Sequence, residues 1–322
     1  MRFVPLGRTG VQVSELCFGT MSFGGDADEA TSAQLYAECR NAGINFFDCA
    51  DAYGSGVSEE ILGRLIAKER DELVITSKVF NPMGSDINSG GTNRRHVARA
   101  VDASLTRLGT DRLDVYFVHQ FDDKTPLDET LRGLEDVVRA GKVLYLGASN
   151  YAAWQIAKAL GISAREGWSR FDVLQPMYNL VKRQAESEIL PLAKSENIGV
   201  ISYSPVGGGL LSGKFRPGVK PDGTRLADNA MYAARYGESW VYQVAEKFTV
   251  FADSMGVHPV SLALAWVGAH EAITAPIVGA RNTDQLGPAL RAVDIDMTED
   301  LRAEIAALSR TPAPAHDRFE EL

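Results

Sequence analysis

Eight short apolar segments alternate with longer amphipathic segments along the chain, and this alternation constrains the fold more than any other feature. The apolar segments have the composition of strands and recur at intervals of about 30 residues, the length of one βα unit. They are apolar almost without interruption, as expected of parallel strands buried on both faces. We therefore predict an α/β fold, a (β/α)8 TIM barrel formed by residues 1–322 as a single domain. The predicted strands are Leu16–Gly19, Ile44–Phe47, Leu73–Ser77, Leu113–Val118, Val143–Gly147, Val173–Gln175, Val200–Tyr203 and Ala275–Val278.

The amphipathic segments between these strands predict helices. In one of them Val97, Val101, Ser104 and Leu108 share a face, and Thr92 or Asn93 is suited to cap its start. No G-x-G-x-x-G motif follows a strand, so an open dinucleotide-binding sheet lacks its usual sequence pattern. The predicted helices are Ser58–Lys68, Asn93–Leu108, Leu127–Ala140, Ala152–Leu160, Gln184–Asn197 and Pro259–His270.

Two segments interrupt the βα rhythm. Arg2–Glu15 precedes the first barrel strand and predicts a β-hairpin with the turn "GRTG". Phe215–Gly237, between the seventh and eighth strands, is rich in Gly, Pro, Asp and Asn. We expect it to form a long loop, and loops of this length within a compact domain usually serve function.

Charge and cysteine content limit the partners and the compartment. The net charge of -9 argues against nucleic acid as a partner. No apolar run approaches the roughly 18 residues of a membrane span, and the first residues contain no apolar segment of a secretory signal. The three cysteines, Cys17, Cys39 and Cys49, match no metal or disulfide spacing and suit a reducing compartment. We expect a cytoplasmic protein with a small-molecule substrate; the sequence leaves its oligomeric state open.

Polar side chains follow the strands where each of them ends. In a (β/α)8 barrel the C-terminal ends of the strands carry the catalytic groups. Taken singly, each residue has an ordinary structural role, such as a turn cap, a rim aromatic or a solvated lysine. Together, at successive strand ends, they favour an active site. They are Asp48 and Tyr53 after the second strand, Lys78, His119, Ser149 with Asn150, Gln175, and Tyr203 with Ser204.

Four of these residues have the chemistry of proton transfer to a carbonyl oxygen. A phenol such as Tyr53 has a pKa of about 10, and a nearby Lys78 ammonium is expected to lower it. Asp48 supplies the counter-charge that a buried lysine needs. His119 can hydrogen-bond the same substrate oxygen. No side chain can deliver a hydride, so carbonyl reduction requires a nicotinamide cofactor.

The segments after the seventh and eighth strands favour a dinucleotide phosphate site. Glycines 207, 208, 209 and 213 allow backbone N–H groups to approach a pyrophosphate, and a helix beginning near Asn282 offers its N-terminus. Arg281 is suited to pair with a 2′-phosphate, which favours NADPH over NADH. Ser149, Asn150 and Gln175 carry groups suited to a carboxamide, and the Tyr203 ring can stack on a nicotinamide.

These residues resemble the aldo-keto reductase family, and the resemblance covers nearly the whole chain. It includes "LGRTGVQVSELCFGTMSFG", "GINFFDCADAYGSGVSEEILG", "ITSKV", "LDVYFVHQFD", "GKVLYLGASN", "YSPVGGGLLSGKF" and "PIVGARN". The "LGRTG" and "GARN" motifs resemble the bacterial and potassium-channel-β-like branch.

The resemblance implies a (β/α)8 barrel and a catalytic tetrad of Asp48, Tyr53, Lys78 and His119, with Tyr53 as the general acid. In many relatives a Glu-Asn pair contacts adenine, whereas this chain has Pro288 and Ala289 at the matching positions. The resemblance also implies that NAD(P)H binds in an extended conformation. The expected cofactor contacts are Gly19, Thr20, Met21, Ser149, Asn150, Gln175, Tyr203, Ser204, Pro205, Gly207, Leu210, Gly213, Lys214, Gly279, Arg281 and Gln285.

Two other functions compete with a carbonyl reductase. One is a nucleotide-binding regulatory subunit that reports redox state to a partner, as the resemblance to potassium-channel β subunits suggests. The other is a metal-dependent barrel hydrolase. The five histidines, at positions 96, 119, 258, 270 and 316, include no H-x-H or H-E-x-x-H pair, which disfavours the hydrolase.

Overall fold

The computed structural model describes residues 1–215 and 230–316, and its centre is a closed barrel of eight parallel strands. Two further strands, β1 and β2, pair antiparallel as a hairpin before the barrel. The predicted barrel and hairpin are both confirmed. The strands are β1 Phe3–Pro5, β2 Gln12–Ser14, β3 Cys17–Gly19, β4 Phe46–Asp48, β5 Val74–Val79, β6 Leu113–Val118, β7 Val143–Ser149, β8 Phe171–Gln175, β9 Gly199–Ser202 and β10 Ala275–Val278. The barrel order is β10-β3-β4-β5-β6-β7-β8-β9.

Alternation of side chains along each strand separates two apolar cores. In the consecutive pair Phe46 and Phe47, Phe46 belongs to the cluster inside the barrel and Phe47 to the larger cluster that includes the helices. Val115 and Phe117 of β6 likewise point inward, while Tyr116 between them joins the larger cluster. This two-residue period is the geometry of a strand, so each strand supplies both cores.

The hairpin closes the N-terminal end of the barrel. Leu6 and Val13, from its two arms, are fully buried and belong to the interior cluster. Gly7 lies against the start of β9 with φ +54°, and a Cβ there would fall 2.4 Å from the Gly199 nitrogen. Only glycine fits this left-handed position so close to another backbone. The hairpin therefore acts as a packed floor beneath the barrel.

Helices connect the strands in the part of the chain that the structure describes. They are α1 Glu29–Asn41, α2 Val57–Ile66, α3 Arg94–Leu108, α4 Leu127–Arg139, α5 Ala153–Glu166, α6 Ile189–Ser195, α7 Ala230–Arg235, α8 Ser239–Ser254, α9 Pro259–Gly268, α10 Thr283–Leu290 and α11 Glu299–Ala306. The Asn93 side chain accepts the His96 N–H and caps α3, which settles the cap in favour of Asn93.

Several segments differ from the prediction, including α11, which was not predicted. The sequence analysis did not predict α1, because Ser32 and Cys39 complete its buried face with Leu35 and Tyr36 and dilute the apolar pattern. The predicted helix Gln184–Asn197 is broken, with a 3-10 turn at Gln184–Glu186 before α6. Pro191 lies in the first turn of α6, where its missing N–H is tolerated, and it prevents a continuous helix from running through that point.

The long segment after β9 is only partly a loop. Residues 216–229 of the predicted loop lie outside the described residues. Its last part forms α7, and α8 follows where the sequence analysis predicted no element. No single helix among the described residues is long and apolar enough to cross a membrane; only α8 and α9, taken as a pair bent by 101°, have the necessary length and composition.

Candidate active site

The polar residues at the strand ends continue the inward-facing register of the barrel strands. Asp48, Lys78, His119 and Gln175 each continue the alternation of an inward-facing strand face, so their side chains point over the barrel interior. Asp48 follows Phe46, His119 follows Phe117 and Gln175 follows Val173 in this way. On β5 the series runs Val74, Thr76, Lys78, and all six residues of that strand are buried.

Lys78, Asp48 and Tyr53 form a hydrogen-bonded chain at the end of β4 and β5. The Lys78 Nζ atom lies 2.7 Å from Asp48 Oδ2 and 3.2 Å from the Tyr53 hydroxyl oxygen. Its third partner is the Cys49 carbonyl oxygen, at 2.7 Å. The Lys78 side chain is 0% exposed and that of Asp48 is 3% exposed. The ammonium group therefore uses all three of its N–H donors without water, as a buried charge requires.

Asp48 is held by two further donors that the sequence analysis did not assign to it. The Thr76 hydroxyl and the Gln175 amide both donate to Asp48 Oδ1, each at 2.8 Å. Thr76 lies opposite Asp48 in the β4–β5 register, while Gln175 reaches it from β8 across the barrel. Thr76, Gln175 and Lys78 thus fix the carboxylate, and the carboxylate in turn orients Lys78 toward Tyr53.

A turn in left-handed backbone conformation follows Tyr53. Gly54, Ser55 and Gly56 have φ angles of 57°, 55° and 99°. Ser55 is a non-glycine residue in this region, where such a conformation costs of order 1–3 kcal/mol. The turn directs the Tyr53 ring back over Lys78, whose Nζ atom is 4.9 Å from the ring centroid.

Burial controls the acidity of the phenol in this arrangement. Burial raises the pKa of Tyr53 to about 12, Lys78 opposes this rise and Asp48 reinforces it. Lys78 lowers the pKa of Tyr53, as predicted. The net pKa is nevertheless raised, contrary to the prediction, because desolvation of the phenolate outweighs the effect of the ammonium group. Burial by itself would lower the pKa of Lys78, yet Asp48 and Tyr53 raise it above its ordinary value. The lysine is therefore charged and the phenol protonated at neutral pH.

His119 lies beside the phenol as a neutral imidazole. Burial, followed by the charge of Lys78, lowers the pKa of His119 to about 4, although Asp48 opposes the shift. The Tyr53 and His119 ring centroids are 6.1 Å apart with the rings edge to face. The Asn81 amide nitrogen lies 3.3 Å from His119 Nδ1. An Asn81 amide nitrogen in this position can only donate to Nδ1, which favours the neutral tautomer that carries its proton on Nε2.

A second hydrogen-bonded set extends from His119 along the rim. The Asn150 amide donates to the His119 carbonyl oxygen at 2.9 Å and to Ser149 Oγ at 3.1 Å. The Tyr203 hydroxyl donates to Asn150 Oδ1 at 2.7 Å. The Ser149 hydroxyl donates to the Gln175 carbonyl oxygen at 2.9 Å. These amide and hydroxyl groups, predicted as carboxamide ligands, are thus ordered by one another at the rim.

A cavity of about 610 Å³ opens above these side chains and runs along the C-terminal rim. Asp48, Tyr53 and His119 line it, whereas Lys78 lies behind them. Of the residues predicted to bind cofactor, those that line the cavity are Gly19, Met21, Ser149, Asn150, Gln175, Tyr203, Ser204, Pro205, Lys214, Gly279, Arg281 and Gln285. Pro288 and Ala289 line it as well.

Four residues predicted to bind cofactor do not line this cavity. Thr20 is fully buried, and its hydroxyl donates to the Asp48 carbonyl oxygen at 3.2 Å. Leu210 is fully buried in the larger core. Gly207 lies near the Leu210 and Tyr236 side chains, and Gly213 packs against Pro259. These positions shape the walls behind the cavity.

Sequence reasoning missed several residues that line or support the cavity. Thr76 could have been found, because it lies two residues before Lys78 on one strand face. Arg235 and Tyr232 of α7 also line the cavity, and they come from the segment that was predicted to be a loop. Gly208 has φ +66° and a Cβ there would fall 2.7 Å from the Tyr232 ring, so this glycine allows α7 to close down on the rim.

Arg281 lies at the far end of the cavity beside the start of α10. Its Nε atom is 2.9 Å from Asp26 Oδ2, an ion pair between the segments after β3 and β10. The Arg281 backbone N–H donates to Gln285 Oε1 at 3.2 Å, and the Asn282 side chain caps α10 by accepting the Gln285 backbone N–H at 3.0 Å. The ion pair with Asp26 holds the guanidinium group next to the N-terminus of α10, where an anion is favoured.

Within residues 1–215 and 230–316, no group of three or more His, Cys, Asp or Glu side chains is placed to hold a metal ion.

Comparison with known proteins agrees with this geometry. A family model described as the Aldo/keto reductase family matches residues 15–310. An uncharacterized oxidoreductase of Bacillus subtilis (strain 168), YrpG, is 38% identical, and the alignment covers 94% of each chain. A probable voltage-gated potassium channel subunit beta of Arabidopsis thaliana is 35% identical over 92% of each chain. The versiconal hemiacetal acetate reductase of Aspergillus parasiticus is 32% identical over 93% of this chain and 94% of its own.

Proposed function

Since the chain belongs to the aldo/keto reductase family, we propose that it is an NADPH-dependent oxidoreductase that reduces aldehyde or ketone carbonyl groups to alcohols, reversibly. The observation that carries this proposal is the buried chain Asp48–Lys78–Tyr53, which ends in a protonated phenol on the floor of the rim cavity. Neutral His119 stands beside that phenol. The arrangement holds one transferable proton where a substrate oxygen can reach it.

The residues of the cavity fit a nicotinamide dinucleotide. The phosphate end requires positive groups and close backbone approach; Lys214, Arg281, Gly208 and Gly209 line the cavity and supply both. Gly208 and Gly209 have φ angles of 66° and 98°, which favour glycine and leave backbone N–H groups without a shielding side chain. The other end offers the Tyr203 ring and the rim amides for a nicotinamide. Bound there, NADPH supplies the hydride that no side chain can supply.

Tyr53 performs the proton transfer in this proposal. With a pKa of about 12 the phenol remains protonated at pH 7, so it holds the proton that the newly formed alkoxide takes up. The Lys78 ammonium, 3.2 Å from the hydroxyl oxygen, stabilises the phenolate that remains. Asp48 keeps Lys78 in place and charged.

His119 orients the substrate rather than supplying a proton. Its imidazole is neutral at pH 7, and Asn81 leaves the Nε2–H group as the donor. That N–H can hydrogen-bond the substrate carbonyl oxygen next to the Tyr53 hydroxyl. The two donors together polarise the carbonyl before reduction.

NADPH is preferred to NADH in this proposal because of Arg281. Its Nε group is engaged by Asp26, but a guanidinium has five N–H donors and the remaining ones can bind a 2′-phosphate. Pro288 and Ala289 line the adenosine end where many relatives have a Glu-Asn pair. These two positions offer adenine only apolar contacts, so we expect the phosphate contact to carry more of the affinity.

Tyr53→Phe tests the proposed reaction. The variant keeps the ring and removes the transferable proton, so kcat should fall by roughly 10²- to 10⁴-fold, the usual contribution of general acid catalysis. NADPH binding, followed by quenching of protein fluorescence, should remain close to that of the unchanged protein.

Tyr145→Phe is the matched control for this experiment. The Tyr145 hydroxyl donates to the Thr9 carbonyl oxygen on the hairpin side of the barrel, away from the rim. This variant should keep its activity. Turnover of Tyr53→Phe at the rate of the control would eliminate Tyr53 as the acid.

A second candidate function is a redox-sensing subunit, favoured by the similarity to the Arabidopsis thaliana protein named as a potassium channel subunit beta. In that case a partner protein should bind this chain in the presence of one cofactor redox state and dissociate in the other. Affinity purification with NADPH or NADP+ in all buffers measures this directly. Equal recovery of partners under both conditions would remove this candidate.

A further inference from the structure

A compact cluster of buried charges lies directly behind the Tyr53 turn. It contains three carboxyl groups, Asp48, Asp51 and Glu59, and two cations, Lys78 and Arg107. The two aspartates and Glu59 are at most 2% exposed, Lys78 is 0% exposed, and the Arg107 side chain is 20% exposed. If all five groups were charged, the cluster would carry one uncompensated negative charge in the protein interior.

Two of the three carboxyl groups have partners of opposite charge. Asp48 pairs with Lys78 at 2.7 Å. Glu59 Oε2 pairs with Arg107 Nε at 2.6 Å, and the Ser77 hydroxyl donates to its other oxygen. Both cations are thereby used.

Asp51 is the one carboxyl group of this cluster that has no ion-pair partner within it. It is 1% exposed, and neither of its oxygens has a hydrogen-bond partner among the described residues. The neighbouring Ala52 N–H interacts with the carboxyl without forming such a bond. The Tyr116 hydroxyl, which interacts electrostatically with Asp51 from β6, is also buried without a partner. An ionised carboxylate is costly in such surroundings, whereas a neutral acid is tolerated.

We propose that Asp51 is a positioning residue that holds a proton while Tyr53 works, and that release of this proton to solvent weakens proton donation by Tyr53. Asp51 precedes Tyr53 by two residues, at the start of the turn that directs the phenol. A second carboxylate there would attract Lys78 away from the phenol. It would also add to the charge of Asp48, which already disfavours the phenolate.

Burial, together with the neighbouring charges, brings the pKa of Asp51 close to neutral pH. Burial raises the pKa of Asp51 to about 7, and Glu59 of α2 raises it as well. The Ala52 N–H, Arg107 of α3 and Lys78 of β5 act in the opposite direction. The ordinary value of this carboxyl is 3.8, so the group changes charge in a range where an unshifted aspartate does not.

The proton on Asp51 can be measured without any assumption about the reaction. Infrared difference spectra, wild type minus Asp51→Asn, are recorded from pH 5 to pH 9. They should show the carbonyl band of a protonated carboxylic acid, and this band should disappear with a midpoint near pH 7. The same titration of Glu59→Gln should shift the midpoint down by roughly one unit, because a like charge has been removed. Absence of a band that titrates between pH 6 and pH 8 would overturn the proposal.

The effect on turnover rests on the proposed reductase function and needs a separate measurement. For carbonyl reduction, kcat/KM of the wild type should fall by about tenfold between pH 6 and pH 8 as Asp51 ionises. In Asp51→Asn, whose amide is permanently neutral, this fall should be absent. If the infrared band titrates but kcat/KM depends on pH in the same way in the wild type and in Asp51→Asn, the effect on Tyr53 is refuted. If neither protein reduces carbonyl groups, only the reductase function is refuted.

Discussion

Replacing Asp48 with asparagine removes the counter-charge of Lys78 and keeps the shape of the side chain. The Lys78 ammonium would then have only neutral partners, which include the Cys49 carbonyl oxygen and the Tyr53 hydroxyl, and no exposure to water. Removing one partner of a buried ion pair typically costs about 3–5 kcal/mol, because the other charge stays buried and unpaired. We expect the free energy of unfolding at pH 7 to fall by about 4 kcal/mol.

The cost of Asp48→Asn should depend on pH in a defined direction. In the wild type Asp48 raises the pKa of Lys78, so the stabilising contribution is present throughout the neutral range and is lost only when pH rises through the folded-state value. In the variant burial dominates and lowers the pKa of Lys78 below that of the unfolded chain. The unfolded state then binds more protons than the folded state, so the stability of the variant increases with pH. The difference between variant and wild type should shrink from pH 6 to pH 9.

Urea unfolding at pH 6, 7.5 and 9, followed by tryptophan fluorescence, measures the loss of unfolding free energy in Asp48→Asn and its change with pH. Glu29→Gln is the matched control, since it breaks the pair of Glu29 with Arg64, whose side chains are 64% and 53% exposed. That pair should contribute less than about 1 kcal/mol. A cost for Asp48→Asn as small as that of the control, or one that does not change with pH, would refute the assignment of a buried, charged Lys78.

Two further predictions concern the cofactor and the core. Arg281→Met should weaken NADPH binding by roughly 10- to 100-fold, because it removes charged hydrogen bonds, and should leave NADH binding nearly unchanged; fluorescence titration with both cofactors checks this, and equal losses would contradict the 2′-phosphate role. Gly147→Ala would place a Cβ 2.4 Å from the Phe117 ring and should lower stability by about 1–3 kcal/mol. Gly161→Ala, with open space around it in α5, should raise stability by about 1 kcal/mol; a thermal unfolding series that ranks the two variants in the opposite order would contradict this packing.

The barrel and the positions of its polar residues could be predicted because both follow from local periodicity. Continuous apolar strands at regular spacing identify the barrel, and the two-residue alternation then assigns Asp48, Lys78 and His119 to its interior face. The same alternation identifies Thr76, which the sequence analysis did not use. Helix α1 has the expected spacing at residues 32, 35, 36 and 39, but two of these are Ser and Cys.

Other features depend on contacts between distant segments and could not be predicted. The net rise in the pKa of Tyr53 reflects how completely the fold buries the phenol, and the sequence shows only that a lysine is present. The Asp26–Arg281 pair joins residues near opposite ends of the chain. The unpartnered carboxyl of Asp51 is apparent only once Glu59 and Arg107 are seen to pair with each other.

The packed floor formed by Leu6, Gly7 and Val13 has a consequence for how molecules move in and out of the barrel. Because the hairpin packs against the lower end, the rim cavity is the route that the described residues leave open for the reactants, products and protons of the proposed reaction. Tyr53 lines this cavity, so we expect a molecule bound beside it to keep water from restoring the proton of the phenol. In the proposed reductase the product must therefore leave the rim cavity before the phenol regains its proton, and we expect product release to set an upper limit on turnover.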